Sequence, residues 1–245
     1  MKKVIVGQST KGQGLVEYVL IAALIISGVL IALEMTGYTL REAYCRAAEG
    51  LGSEKACAES EEEIYCEDDF TGSDGWPSQY GRWTNEDGQL CTGRNAKSYS
   101  ACSESMKNNE DYSIKLDGAQ LDKGNGYGLF FRGTDLDKRT DGYIVQYDPG
   151  WGGGSIIMRK WINGKETPPF AVKKMPGYDW YGEPHDMQLD VEGDTFTFIL
   201  DGEEVLVGKD DTYTEGGVGL RSWDGTEVCF DNISIGELSA KTGEE

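Results

Sequence analysis

The segments Met187-Gln188-Leu189-Asp190-Val191 and Phe196-Thr197-Phe198, followed by the pair Asp201-Gly202, decide the fold. Apolar and polar residues alternate with a period of two, which gives a β-strand one buried face and one solvated face. Asp-Gly pairs favour the left-handed backbone that a two-residue hairpin turn requires. The stretch therefore predicts antiparallel strands that pack one face on a core.

Similar short strands recur from Cys66 onward, and no long amphipathic helix interrupts them. The candidate strands are Ser113–Leu116, Tyr127–Arg132, Tyr143–Tyr147, Ile156–Ile162, Met187–Val191, Thr195–Leu200, Val205–Val207, Val218–Ser222 and Val228–Ile235. The turn pairs that punctuate them are Asp117-Gly118, Asp141-Gly142, Asn163-Gly164, Asp201-Gly202 and Asp224-Gly225. We expect an antiparallel β-sandwich head over residues 66–236 and a flexible tail over 237–245.

Several of these segments resemble the concanavalin A-like (LamG-type) jelly rolls. They include Gly128-Leu-Phe-Phe-Arg132, Gly142-Tyr-Ile-Val-Gln-Tyr-Asp148, Phe198-Ile-Leu-Asp-Gly202, Gly217-Val-Gly-Leu-Arg221, Phe230-Asp-Asn-Ile233, and Asp68-Asp69-Phe70 with Gly75-Trp76. The head is also similar to the 3-keto-disaccharide hydrolase-like branch of that superfamily. The resemblance implies the fold but no single activity, because lectins, hydrolases and adhesion modules share it.

The N-terminal part of the chain follows a different pattern. An apolar stretch runs from Leu15 to Leu33 and is interrupted by one charged residue, Glu17. Its length suits a membrane span, and the lysines before it predict export of the C-terminal part. We therefore expect an α+β protein, in which a long transmembrane or filament-core helix over residues 13–50 precedes the jelly-roll β-sandwich.

The segment Lys11-Gly12-Gln13-Gly14-Leu15-Val16-Glu17-Tyr18 resembles the N-terminus of type IV pilins, in particular the Flp/Tad type. The resemblance implies a leader peptide over residues 1–12, removed by a prepilin peptidase between Gly12 and Gln13. It gives Glu17 and Tyr18 an assembly role, because the carboxylate of Glu17 would neutralise the buried α-amine of a neighbouring subunit. The implied partners are other copies of the chain, the peptidase and the pilus assembly machinery. The implied location is the cytoplasmic membrane for the precursor and then a surface pilus.

Six cysteines lie beyond the apolar stretch and indicate an oxidising compartment. We expect Cys45–Cys57 to join the helix end to an acidic connector over residues 51–65, and Cys91–Cys102 to close a local excursion. The jelly-roll resemblance implies Cys66–Cys229, since the first and last strands are neighbours in such folds. The formal charge of −20 makes nucleic acid an improbable partner.

Catalytic chemistry has little support in the sequence. Glycoside hydrolysis requires two carboxylates beside the scissile bond, and the Glu-x-Asp-x-x-Glu motif of laminarinase-type enzymes is missing. Asp190 and Glu192 are spaced as a pair, but the alternation puts them on the polar face. His185 lies in a turn-like context. We expect no catalytic residues and no enzymatic activity.

Aromatic residues in two loops are candidates for glycan binding, because exposed rings can stack on sugars. They are Trp151 in one loop and Tyr178, Trp180 and Tyr181 in the other, and packing within a filament or a core is the alternative role. No cofactor is required, although Asp69 and Asp231 could hold a structural calcium ion where the first and last strands meet.

The sequence thus predicts a type IV pilin-like subunit whose helix builds a filament and whose head decorates it, with cell adhesion as one use. The first alternative is a minor tip pilin or a membrane-anchored surface lectin that binds glycans. A membrane-tethered sugar hydrolase comes third, and a secretion-system pseudopilin stays open.

Overall fold

The structure is a computed structural model that describes residues 63–72, 75–93, 95–99, 110–134, 139–223 and 225–238. These residues form seventeen β-strands and no helix, and consequently no helix in the described ranges could cross a membrane. The predicted α+β class with a transmembrane helix is therefore corrected to all β. The leader, the predicted helix over 13–50 and the connector up to residue 62 lie outside the described residues.

The strands are short, as the spacing of turn signals predicts. They are β1 Ile64–Asp68, β2 Ser78–Tyr80, β3 Trp83–Glu86, β4 Gln89–Thr92, β5 Ala96–Tyr99, β6 Tyr112–Lys123, β7 Tyr127–Thr134, β8 Asp141–Asp148, β9 Ser155–Ile162, β10 Lys165–Glu166, β11 Ala171–Lys174, β12 Pro184–Glu192, β13 Thr195–Leu200, β14 Glu203–Lys209, β15 Gly217–Ser222, β16 Glu227–Phe230 and β17 Asn232–Gly236.

The strands form two antiparallel sheets. The first sheet has the order β14-β13-β12-β6-β16-β4-β3, and β17 also pairs with β6 and carries β1 at its other edge. The second sheet has the order β10-β9-β8-β7-β15-β5-β2, with β11 also on β9. The predicted neighbourhood of the first and last strands is confirmed, because β1 pairs with β17.

The core lies between the two sheets. The deciding segment behaves as its alternation predicts: Met187, Leu189 and Val191 are buried in β12, and the polar residues between them are partly exposed. Leu189 faces Phe198 and Val191 faces Phe196 across the β12–β13 pair. Such apolar cross-strand pairs on a buried face are the main source of sheet stability.

Of the four predicted turn pairs that lie within the described residues, two are confirmed and two are wrong. Asn163-Gly164 joins β9 to β10 and Asp201-Gly202 joins β13 to β14, each with positive φ at both residues. Asp141-Gly142 is not a turn, because it begins β8 and pairs with the neighbouring strands. Asp117-Gly118 does not end a strand, because β6 continues through it to Lys123. Gly118 has a φ of 60° and lies beside a register shift in the β6–β12 pair, so it forms a β-bulge and not a hairpin.

The cysteines do not pair as predicted. Cys91 of β4 is bonded to Cys229 of β16, and the two residues lie directly opposite each other in the first sheet. The predicted Cys66–Cys229 and Cys91–Cys102 bonds are therefore wrong. Cys66 is also disulfide-bonded, whereas the Cys45–Cys57 prediction falls outside the described residues.

Candidate functional site

The strands in the middle of the second sheet are buried on both faces. In β8, Tyr143, Val145 and Tyr147 join the core, while Ile144 and Gln146 face the other way and are also buried. A sheet face that points away from the core is normally solvated in an antiparallel sandwich. Side chains of the second sheet therefore cover its outer face. We call this outer face, around Ile144 and Gln146 of β8, the hollow.

An ion pair crosses the hollow and shows how strongly the sheet curls. Arg221 of β15 places its Nη1 atom 2.5 Å from Oε1 of Glu166 in β10. Three strands, β9, β8 and β7, separate these two in the sheet order, which in a flat sheet is a distance of about 19 Å. Two side chains cannot bridge that distance, so the sheet must curve inward over this face.

A buried amide organises the polar side of the hollow. Gln146 is 2% exposed; its amide nitrogen donates to Glu166 over 3.2 Å and its amide oxygen accepts from Nε of Arg159 over 2.8 Å. Arg159 also donates to the carbonyl of Thr167. The network fixes one carboxylate and two guanidinium groups in position, which is the preorganisation that a binding site needs.

Tryptophan rings line the apolar side. The guanidinium of Arg221 lies 4.7 Å from the ring centre of Trp161 and 5.3 Å from that of Trp223. Trp161 packs edge-on against Phe130, and Arg159 lies 5.8 Å from the ring of Trp151. The half-buried tryptophan rings thus make cation–π contacts with the arginines and also present apolar surface.

Two donors in the hollow have no acceptor. Within the described residues, the Trp161 Nε1 and Arg221 Nε atoms are buried and make no hydrogen bond. Buried polar groups in folded proteins are nearly always paired, so each exception calls for an explanation. Both atoms belong to side chains of the hollow, which leaves this face short of oxygen acceptors.

Asp148 holds the hairpin turn that carries Trp151. Its carboxylate accepts the Trp151 backbone N–H over 2.9 Å. Burial raises the pKa of Asp148, against the lowering effect of the Trp151 and Gly150 N–H groups and of nearby Arg159. The turn is thus fixed at the end of β8, and Trp151 is kept beside Arg159.

Comparison with known proteins places this head in a family. The 3-keto-alpha-glucoside-1,2-lyase-like domain family matches residues 67–236. The chain belongs to that family. No curated protein matches the chain in sequence.

Several solved structures resemble the head of this chain. The carbohydrate-binding module CBM66 from Bacillus subtilis is 26% identical, with a TM-score of 0.55 over 66% of this chain and 96% of the module. The carbohydrate recognition domain of Emp47p is 12% identical, with a TM-score of 0.53 over 71% of this chain and 97% of that domain. The Ca²⁺-bound exoplasmic/lumenal domain of VIP36 is 9% identical, with a TM-score of 0.58 over 73% and 93%. The last two likenesses show the fold alone.

The comparisons give the pilin interpretation no support. The family match begins at residue 67, and no similarity found supports a pilin N-terminus. The predicted transmembrane helix and membrane-inserted precursor are contradicted, because no helix in the part of the chain that the structure describes could span a membrane. The residues of the pilin motif, Gly12, Gln13, Glu17 and Tyr18, lie outside the described residues.

The structure separates the aromatic residues predicted to bind glycans. Trp151 lies beside Arg159 at the hollow. Trp180 is 7% exposed and packs edge-on against Tyr147 in the core, so the ring does not offer an open face to a sugar. Tyr178 shares a hydrogen bond with His185, and Tyr181 donates its hydroxyl to the carbonyl of Gly124.

The other side chains weighed for catalysis or metal binding have local partners. His185 lies 2.8 Å from the Asp201 carboxylate, and Asp190 accepts from Ser113 and Gln188. Asp69 accepts both the N–H and the hydroxyl of Thr71, which lowers its pKa. In the described ranges no three His, Cys, Asp or Glu side chains are grouped to hold a metal ion. Calcium at Asp69 and Asp231 stays a prediction.

Sequence reasoning missed most of the hollow. The missed residues are Gln146, Arg159, Trp161, Glu166, Arg221 and Trp223. A signal was present: β8 and β9 contain Gln146, Arg159 and Trp161 at positions out of phase with the core residues Tyr147 and Met158. Assigning the phase of each strand would have put these side chains on one face.

Proposed function

We propose that the hollow binds a carbohydrate. The observation that carries the proposal is the Trp161–Arg221 pair, in which an indole and a guanidinium lie 4.7 Å apart and each keeps a buried donor without an acceptor. A ligand rich in oxygen acceptors supplies what these donors lack. The curvature of the sheet gives the concave shape that small-ligand sites share.

The hollow offers both kinds of contact that a sugar requires. Trp151, Trp161 and Trp223 present aromatic surface to the apolar C–H face of a sugar ring. Arg159 and Arg221 donate hydrogen bonds to hydroxyl oxygens, and the carboxylate of Glu166 accepts them from hydroxyl groups. Similarity to a carbohydrate-binding module at 26% identity supports this assignment.

Within this proposal the domain binds sugars without hydrolysing them. Hydrolysis needs one carboxyl group as an acid and a second as a base or nucleophile. In the hollow, Oε1 of Glu166 is bonded to Arg221 and Gln146, which leaves its other oxygen to accept from sugar hydroxyls, and Asp148 accepts the N–H of Trp151 in the turn. These two carboxylates serve to position neighbouring groups.

Family membership favours a second candidate, elimination from a 3-keto-glucoside. In that reaction a base removes the C2 proton, which the C3 ketone acidifies, the bond from C1 to the glycosidic oxygen breaks, and the departing oxygen takes a proton from the protonated base or from water. The products are an unsaturated keto sugar and the free alcohol. Glu166 is the carboxylate of the hollow that could act as the base once a ligand displaces Arg221.

A glycan array with the full-length protein tests the binding proposal, and incubation of each bound glycan and of a 3-keto-disaccharide tests turnover. We expect at least one saturable ligand that is recovered unchanged. An absence of any glycan ligand would contradict the binding proposal. Product formation that disappears in Glu166→Gln would replace it with the lyase candidate.

A further inference from the structure

A cavity lies where the two sheets end, and none of its lining residues belongs to the hollow. It has a volume of about 490 Å³ and is lined by Phe70, Trp76, Ser78, Trp83 and Asn85, among others. Ser78 belongs to β2, the last strand of the second sheet, and Trp83 to β3, the last strand of the first sheet. The cavity therefore opens at the edge of the sandwich, and its size is within the range of small-ligand pockets.

Two indole rings of the cavity carry donors without acceptors. Trp76 is 6% exposed and packs edge-on against Phe70, and Trp83 packs beside Phe230. Among the described residues, Nε1 of Trp76 and Nε1 of Trp83 are both buried and unpaired. An indole N–H can only donate, so each needs an oxygen or nitrogen acceptor.

Polar groups close another wall of the same cavity. The side-chain amide of Asn85 donates to the carbonyl of Gly72, which ties β3 to the loop after β1. The hydroxyl of Ser78 lies 3.3 Å from the carbonyls of Tyr80 and Gly81. Among the described residues that line the cavity none is charged, so none of them would select an ion.

We infer that this cavity is a second binding site, for one neutral pyranose unit. A wholly apolar ligand would leave both indole donors unpaired, and an anion would find no cation. A pyranose ring combines an apolar C–H face with neutral oxygen acceptors, which matches two indoles beside serine and asparagine. The site differs from the hollow in its strands, its residues and its lack of charge.

Indole N–H resonances of the full-length protein test the inference directly. The chain has six tryptophans, and Trp76→Phe and Trp83→Phe assign two of the side-chain signals. We expect titration with methyl glycosides of glucose, galactose, mannose and N-acetylglucosamine to shift the Trp76 and Trp83 signals together, with one dissociation constant. Both shifts should persist in Trp161→Phe, which removes the free indole donor of the hollow.

Asn85→Ala is the matched loss-of-function variant. The substitution removes a polar side chain that lines the cavity and leaves all six indoles in place. Unchanged signals from the other four tryptophans would therefore show that the fold is intact. We expect at least a fivefold weaker apparent affinity at Trp76 and Trp83. If neither signal moves with any of the four sugars, or if both move only with protein concentration, the cavity is not a sugar site. Shifts at Trp161 without shifts at Trp76 and Trp83 would contradict this inference and leave the proposed function standing.

Discussion

At the scale of single residues, two glycines in one turn allow the energetic cost of backbone strain to be measured apart from the cost of steric contact. Gly153 and Gly154 both have positive φ, 88° and 102°. A Cβ on Gly154 would lie 2.7 Å from Nε1 of Trp180, whereas a Cβ on Gly153 would meet nothing within 4 Å. The turn that presents Trp151 therefore depends on a close approach to the buried Trp180 ring.

We expect Gly153→Ala to lower the free energy of unfolding by about 1–2 kcal/mol, the cost of a left-handed alanine. Gly154→Ala should cost more, roughly 3–4 kcal/mol, because it adds overpacking against Trp180 to the same strain. Urea denaturation of the two variants measures the difference. Equal costs would mean that the contact between the turn and Trp180 is unimportant.

Asp210 makes stability depend on acid pH. Burial alone would raise its pKa, but hydrogen bonds from Lys160, Thr212 and Tyr143 outweigh it and lower the pKa to about 2. The Lys160 ammonium lies 2.7 Å away. A carboxyl group with a lowered folded-state pKa contributes stability above its unfolded pKa, and the contribution is lost as the pH falls through the folded value.

We therefore expect Asp210→Asn to be less stable than wild type by roughly 1–2 kcal/mol at pH 7, and the gap to close between about pH 4 and pH 2. Asp211→Asn, at the exposed neighbouring position, is the control and should keep the wild-type pH profile. Urea denaturation across this pH range gives the answer. A gap that stays constant down to pH 2 would rule out Asp210 as the titrating group.

The tryptophans show what single residues could reveal before the structure was known. Trp180 looked suitable for sugar stacking because it lies in a loop with Tyr178 and Tyr181, yet it fills the core. Trp161 lies within the predicted strand Ile156–Ile162 and was given no role, yet it faces the hollow. Whether a ring is buried depends on which face of its strand it occupies and on what packs over its loop. Neither can be read from the neighbouring residues in the sequence.

At the scale of elements, strands with clean alternation were predictable and short edge strands were not. The hairpin of β12 and β13 follows its sequence pattern. In contrast, β10 has two residues and β2 has three, too few for a period to be recognised. Val228–Ile235 was predicted as one strand, but Asp231 divides it into β16, beside β4, and β17, beside β1.

The Cys91–Cys229 bond joins two of these elements. It spans 138 residues in sequence and ties β4 to β16. Replacing both cysteines by alanine should lower the free energy of unfolding by about 2–5 kcal/mol, since the bond restricts a long loop of the unfolded chain. The effect in the folded state should be local, because β3 and β4 lie at the end of the first sheet and β4 is held there by β16.

Amide hydrogen exchange distinguishes the local from the global effect. We expect faster exchange in Trp83–Thr92 than in Met187–Leu200 of the same double variant, under conditions where global unfolding is negligible. The β12–β13 hairpin serves as the internal control. Equal acceleration in both hairpins would show that the bond stabilises the sandwich as a whole and not its edge.

At the scale of the whole molecule, the sandwich class of the head was available from the sequence, whereas the site was not. Alternation and turn pairs indicate an antiparallel sandwich whatever the order in which the strands pair. The hollow, however, requires that β10 and β15 face each other across three intervening strands. Glu166 and Arg221 are far apart in sequence, and the curvature that unites them arises from the twist and pairing of the complete sheet.

The central claim, that the hollow is a carbohydrate site, is tested most directly by isothermal titration calorimetry of the full-length protein with its strongest array ligand. Trp161→Phe removes the indole donor, and Arg221→Lys keeps the charge but removes Nε and the planar group between two rings. Val207→Ala, at an exposed position on edge strand β14 of the first sheet, is the control. We expect each hollow variant to bind at least tenfold more weakly, a loss of about 1.4 kcal/mol, and the control to bind as wild type. Wild-type affinity in both hollow variants, with the fold intact, would contradict the claim.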